Sequence, residues 1–181
     1  GAGTGQLIVG FAARDCRVIG VEPDDRMRQV LASREGIADT FAGSAEALPL
    51  PDSSADLIAG AQMWHWVDPS RAVPEIARVL RPGGVLAIVW SLRDDNEPWL
   101  KAMEQVVELP DSYKWFRKND IPVLAKPFGA MDLQEFAFTQ TSTPEGLVGL
   151  VGTFSHVALS DRRDKIEADV RELTQTHPDL A

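Results

Sequence analysis

The stretch Gly1-Ala2-Gly3-Thr4-Gly5, followed by the apolar run Arg17-Val18-Ile19-Gly20-Val21 and closed by Glu22-Pro23, decides the fold. Glycine at every second position suits a backbone that bends sharply and lets a ligand approach where a Cβ would intrude. Leu7, Ile8 and Phe11 then recur at helical spacing, which predicts a helix over 4–14, and residues 17–21 read as a short buried strand. A glycine turn, a helix and a strand that ends in a carboxylate together open a parallel α/β sheet.

The chain continues in the same alternation. Asp24 opens a second helix through about residue 34, with Met27, Val30 and Leu31 on one face and Gly36 as its stop. A short strand is expected over 41–45, Pro49 and Pro51 punctuate a loop, and 55–61 fits a strand covered on both faces. Helical periodicity returns over 69–80, and Arg81-Pro82-Gly83-Gly84 predicts a turn that launches a strand over 85–90. Such an alternation implies right-handed crossovers and a doubly wound, mostly parallel α/β sheet. Beyond it the pattern loosens. A helix over 97–109 and an aromatic, basic segment over 113–118 read as a lid or insertion, 133–141 alternates like an edge strand, and 143–152 and 160–176 read as helices. The organisation expected is a core over 1–93, a lid or insertion over 94–132, and the C-terminal part of the same domain over 133–181.

Composition narrows the classes of function. A length of 181 residues fits one domain with a real core. No apolar run approaches the roughly 20 residues that span a bilayer. The net charge of −9 opposes nucleic acid phosphates, and no basic stripe is interleaved with aromatics. Cys16 is the only cysteine, so neither an intrachain disulfide nor a cysteine zinc cluster can form, and a reducing, cytoplasmic setting is expected. The three histidines are scattered and lack ligand spacing, so no metal site is expected.

The opening motif has a chemistry of its own. A dinucleotide fingerprint, G-x-G-x-x-G, would place glycine at Gln6 and another residue at Gly5, and the chain does neither. The alternative is a cofactor with an amino acid carboxylate and a ribose near the helix N-terminus, and S-adenosylmethionine carries both. Glu22, at the tip of the second strand of such a fold, would accept hydrogen bonds from the ribose hydroxyls. The competing reading is a solvated acid at a helix start, where Asp24 and Asp25 also sit.

These residues, with Val21-Glu22-Pro23 and Met27, Gly43-Ser44-Ala45-Glu46-Ala47-Leu48-Pro49, Trp64-His65-Trp66 and Leu80-Arg81-Pro82-Gly83-Gly84, resemble the class I S-adenosylmethionine-dependent methyltransferases. Within that family the chain is most similar to the trans-aconitate and quinone methyltransferase subgroup, over about residues 1–93. The resemblance implies a Rossmann-like methyltransferase fold whose cofactor is held by Gly1, Ala2, Gly3, Thr4, Gly5, Glu22 and Pro23. It implies Met27 along the adenine, Ser44, Ala45 and Glu46 at the adenine edge, and Ala61 and Gln62 under the methionine moiety. The family's first strand, an apolar run ending in an acid before the glycines, and its last strand are expected but absent from the sequence. His65, past the tip of a predicted strand, is the candidate acceptor-side base; packing between tryptophans is its alternative role. The expected acceptor is a small molecule. The rivals are a nicotinamide oxidoreductase of similar topology, disfavoured by the glycine spacing, and a methyltransferase fold serving only as a binding module.

Overall fold

Helices and strands alternate through the first half of the chain, and among the described residues only helices follow. The computed structural model describes residues 1–94, 96–108, 124 and 126–177. Two compact units emerge, one over Gly1–Ser91 with Val123–Met131, the other over Leu92–Pro122 with Asp132–Ala181.

In the first unit, α1 (Gln6–Ala12) leads to β1 (Val18–Val21), α2 (Asp25–Ala32) and β2 (Ile37–Phe41); β3 (Ala55–Ala61), a 3₁₀ turn (Trp64–Trp66), α3 (Pro69–Val79) and β4 (Leu80–Val89) follow. Local chemistry sets the helix ends. Asp24 caps α2 by accepting the Met27 N–H at 2.9 Å, and Asp68 caps α3 through the Ser70 N–H at 2.9 Å. Pro69 occupies the first turn of α3, where its missing N–H costs nothing. Gly36, at φ +79°, lets the chain leave α2 and enter β2.

β1 pairs in parallel with β2, from Val18↔Ile37 to Val21↔Phe41, and β3 pairs in parallel with β4, from Leu57↔Val85 to Ala61↔Val89. Two expectations need correction. The second strand lies at Ile37–Phe41 and not at 41–45, because pairing with β1 begins as soon as Gly36 releases the chain. Past Phe41 the chain packs closely at Gly43, where a Cβ would come within 2.7 Å of Pro49 and 3.0 Å of Val21. The Arg81-Pro82-Gly83-Gly84 turn, in turn, does not precede its strand but lies inside it. β4 begins at the buried Leu80, and pairing jumps from Ala55↔Leu80 to Leu57↔Val85, so the turn residues form a bulge with Gly83 at φ +81°.

No ladder joins β1 to β3 among the described residues, so the expected single sheet stands as two parallel pairs. A cavity of about 1100 Å³ is lined by Val18 and Ile19 of β1, Leu57 and Ile58 of β3, and Leu7 and Phe11 of α1. Trp64, Ala72, Val73, Ile76 and Leu80 form a buried cluster that packs against Ile58, Leu86 and Ile88 of the β3–β4 pair. Leu31 of α2 is fully buried and lies so near β1 that a Cβ on Gly20 would sit 2.6 Å from it.

The second unit comprises α4 (Pro98–Val107), α5 (Pro144–Gly152), α6 (Ser155–Ala158) and α7 (Arg163–Thr176). α4 and α5 both pack on α7, burying Leu100, Met103, Val151 and Val170. Thr143 caps α5 through the Gly146 N–H at 3.0 Å. α6 is a short helix that the periodicity of the sequence does not announce. The strand expected over 133–141 does not form. Those residues lack regular structure, and Phe136 and Phe138 are 82% and 70% exposed. Alternation makes a strand two-faced, but a ladder needs a neighbour's backbone, and no described strand pairs with this segment. Segment 113–118 of the expected lid lies outside the described residues. No described helix is long and apolar enough to cross a membrane.

Candidate functional site

The glycine turn is built from its own backbone. Gly5 donates its N–H to the Ala2 carbonyl at 3.0 Å, and Ala2 donates to Val21 of β1 at 3.0 Å. Gly3 and Gly5 adopt φ of +56° and +89°, a region that other residues enter at a cost of about 1–2 kcal/mol. Their surroundings differ. A Cβ on Gly5 would press on Leu31 at 2.9 Å, whereas one on Gly3 would meet nothing within 4 Å. Gly5 therefore lets α1 and α2 approach, and Gly3 presents bare backbone where Gly1–Thr4 line the cavity.

Glu22 ties this turn to the tip of β1. It is 5% exposed, and its Oε2 accepts the Gly3 N–H at 2.8 Å while Oε1 accepts the Asp24 N–H at 3.0 Å. A carboxylate has about four acceptor positions, and these two bonds use half of them. The reading of Glu22 as a solvated surface acid is thereby corrected: the strand tip buries it against the turn. Pro23 follows it and carries no N–H, leaving Asp24 as the donor. Met27, on α2, is 47% exposed and stands outside the cavity wall.

Ser44 and Ala47 form an isolated bridge around the buried Ala45. Glu46 accepts the Asp68 N–H at 2.9 Å. Burial pushes the Glu46 carboxyl up, but hydrogen bonds from the Asp68 N–H and the Ser44 side chain outweigh it, and the group stays below its ordinary value. Ala61 ends β3. Gln62 takes φ +55°, an uncommon conformation for a side chain of its size, held by its N–H to Val89 at 3.0 Å and its Nε2 to the Ser91 carbonyl at 3.0 Å.

The cavity thus brings together Gly1, Ala2, Gly3, Thr4, Ala45, Ala61 and Gln62. Gly5, Glu22, Pro23, Met27, Ser44 and Glu46 stand behind or beside its wall. Trp64 also lines it, 4% exposed, with a buried indole N–H that has no acceptor among the described residues. Bare turn backbone, a buried acid behind it and this indole N–H suit a ligand that is part apolar and part hydrogen-bonding, as an aminoacyl nucleoside such as S-adenosylmethionine is.

His65 sits in the 3₁₀ turn, its ring centroid 5.0 Å from that of Trp66 and 5.2 Å from that of Trp90, the latter edge-on. Burial holds its imidazole below the ordinary value, favouring the neutral form that a base requires. It is not among the residues of the cavity wall. Arg93, just past β4, lies over the Phe154 ring at 4.6 Å. Tyr113 and Asp95 lie outside the described residues. Among the described residues no cluster of His, Cys, Asp or Glu could hold a metal ion. Glu75 and Arg78, which bind the backbone of the 48–52 loop, escaped the sequence reading; their i,i+3 spacing on a predicted helix was the available signal.

Residues 1–88 match the methyltransferase domain family. An uncharacterized methyltransferase of Mycobacterium tuberculosis is 39% identical over 185 residues, covering 100% of this chain and 74% of that protein. An uncharacterized methyltransferase-like protein of Schizosaccharomyces pombe is 33% identical, over 98% of this chain and 72% of its own length. A solved structure, a putative type II methyltransferase from Anaeromyxobacter dehalogenans, superposes with a TM-score of 0.62 over 96% of this chain and 78% of that one, at 24% identity, and bears on the fold alone.

Proposed function

This chain belongs to the methyltransferase domain family and is an S-adenosylmethionine-dependent enzyme, and from that premise we propose that it methylates a small-molecule acceptor at the end of β3, with the cofactor lying from the glycine turn to Ser44–Glu46. The observation that carries this reading is the contact between Glu22 and Gly3, which places a buried carboxylate directly behind a turn of bare backbone. The resemblance to the trans-aconitate and quinone methyltransferases supports a small acceptor of that kind.

In this reading Gly1, Ala2, Gly3, Thr4 and Gly5 present backbone to the amino acid end, Glu22 and Pro23 hold the ribose side, and Met27 with Ser44, Ala45 and Glu46 flank the adenine. Ala61 and Gln62 lie beneath the methionine moiety. When bound, the cofactor supplies an electrophilic methyl group on a sulfonium. The protein's share is alignment: a positioned acceptor and a dry wall convert a bimolecular displacement into an effectively unimolecular one. His65, kept neutral by burial, takes the acceptor's proton where the acceptor has one to lose. Calorimetric titration with S-adenosylhomocysteine, followed by transfer of a radiolabelled methyl group over a panel of small acids, quinones and phenols, tests it. No binding would end the cofactor assignment, and binding without transfer to any acceptor would point to a binding module.

A further inference from the structure

Prolines leave the segment between β2 and β3 short of donors, and α3 makes up the deficit. Pro49 and Pro51 have no N–H, and the bridge Ser44↔Ala47 is the segment's own regular pairing among the described residues. Two side chains of α3 take up the backbone. Leu48 donates its N–H to Glu75 Oε1 at 2.7 Å. Arg78 donates from Nη2 to the Leu48 carbonyl at 3.1 Å and from Nη1 to the Leu50 carbonyl at 2.9 Å, and also pairs with Asp52. Glu75 and Arg78 fix each other through two parallel bonds, 2.7 Å and 2.8 Å, the fork geometry that sets a guanidinium plane. Nearer the start of α3, Glu46 receives the Asp68 N–H. The segment is therefore tied to α3 and its N-cap at two places: the Glu46 side chain accepts the Asp68 N–H, and the backbone of Leu48 and Leu50 is held by Glu75 and Arg78. Ala45, Leu48, Pro49 and Leu50, at or beside these ties, all lie on the cavity wall.

We propose that Glu75 and Arg78 are positioning residues for the adenosine half of the cofactor site: by holding Leu48 and Leu50 against α3 they keep Ser44–Glu46 in the conformation that receives the adenine. This rests on the assignment of Ser44–Glu46 to the adenine edge made above. A pair that served stability alone would shift the melting temperature and leave the affinity of the folded protein unchanged. A pair that positions the segment controls affinity in the folded state, and does so for any ligand that carries the adenosine half.

The test uses the whole chain with Glu75→Gln, which keeps the shape but removes the charge, and Arg78→Ala. Two probes are titrated at a temperature where each variant is folded by circular dichroism: S-adenosylhomocysteine, and methylthioadenosine, which keeps the nucleoside and lacks the amino acid end. Hydrogen exchange of the Leu48 amide is followed without ligand. The expected result is faster exchange at Leu48 and a dissociation constant raised about tenfold for both probes alike. Wild-type affinity in folded Glu75→Gln and Arg78→Ala, whatever their melting temperatures, overturns the proposal and leaves the cofactor assignment standing. Should Arg78→Ala not fold, Glu75→Gln decides alone. A wild-type protein that binds neither probe overturns the cofactor assignment first, and this proposal with it.

Discussion

The two units solve the same problem, burying apolar side chains around helices, and both carry surface ion pairs, but they differ in what their inward carboxylates do. In the second, Leu100, Met103, Val151 and Val170 meet between α4, α5 and α7, and a charged pair lies at the surface: Arg162 reaches both oxygens of Glu108 at 2.9 Å, with the two side chains 52% and 62% exposed. In the first, carboxylates turn inward and bind backbone: Glu22 to Gly3 and Asp24, Glu46 to Asp68, Glu75 to Leu48. Charges that grip backbone specify the shape of loops, whereas charges that grip each other in water contribute little. The loops so specified are those that line the cavity.

The contrast can be broken at several points. The largest effect is expected from Met103→Ala in the helical core, where removal of a 1% exposed side chain should cost about 2–5 kcal/mol in chemical denaturation. Because the cofactor site is assigned to the first unit, S-adenosylhomocysteine affinity of the folded variant should stay within about twofold, a difference near 0.4 kcal/mol. A parallel loss of affinity would show that the second unit shares in the site.

His65→Ala comes next. As a base, His65 predicts methyl transfer slower by roughly 10², with cofactor affinity within about threefold. As a packing group against Trp66 and Trp90, it predicts a lower melting temperature with turnover and affinity falling together. The imidazole also carries a pH signature. Its folded value lies below 6.5, so the unfolded chain binds its proton first, and stability is fully present above about pH 6.5 and declines as pH falls toward the folded value. His156 in the second unit, depressed by burial and by the charge of Arg93 against the opposing bond to the Val107 carbonyl, works in the same window with the same sign. Stability measured from pH 7.5 to 5 should therefore fall less in either single variant than in the wild type, and least in the double variant.

Glu22→Ala is expected to weaken cofactor binding by about 1.5–3 kcal/mol, the range for hydrogen bonds to a charged group. It should also lower stability, because the Gly3 and Asp24 amides lose their acceptor. Calorimetry and thermal unfolding on one preparation check both, and unchanged affinity would remove Glu22 from the site. The smallest effect is expected from Arg162→Ala, a change of less than about 1 kcal/mol in denaturant unfolding although Nη1 reaches both Glu108 oxygens. A larger loss would mean that surface pairs of the second unit matter as much as the inward carboxylates of the first.

Much of the first unit was legible before any coordinates. The capped start of α2, the periodicity of α3 and the apolar run of β3 lie where their signals stand, because caps and periodicity are local. Places that depended on a partner were not legible. Ile37–Phe41 is a strand because β1 lies beside it, and the alternating segment over 133–141 is not one because no described strand does. The bulge at Arg81–Gly84 follows from the burial of Leu80, which a turn motif cannot report.

By itself the sequence determined the glycine turn, the acid that follows β1, the alternation of helices and strands in the first unit, and the chemical class of the cofactor, since each rests on residues near one another in the chain whose backbone freedom or charge has few other uses. Only the tertiary structure decided that Glu22 is buried against Gly3, that Glu75 and Arg78 strap the Leu48–Leu50 backbone to α3, and that His65 packs on Trp66 and Trp90 beside the wall-lining Trp64. Those facts are distances between residues as many as 30 positions apart, as from Leu48 to Arg78. Side-chain chemistry alone cannot set such distances, because the same carboxylate or guanidinium is equally satisfied by water until packing removes the water and leaves one partner in reach.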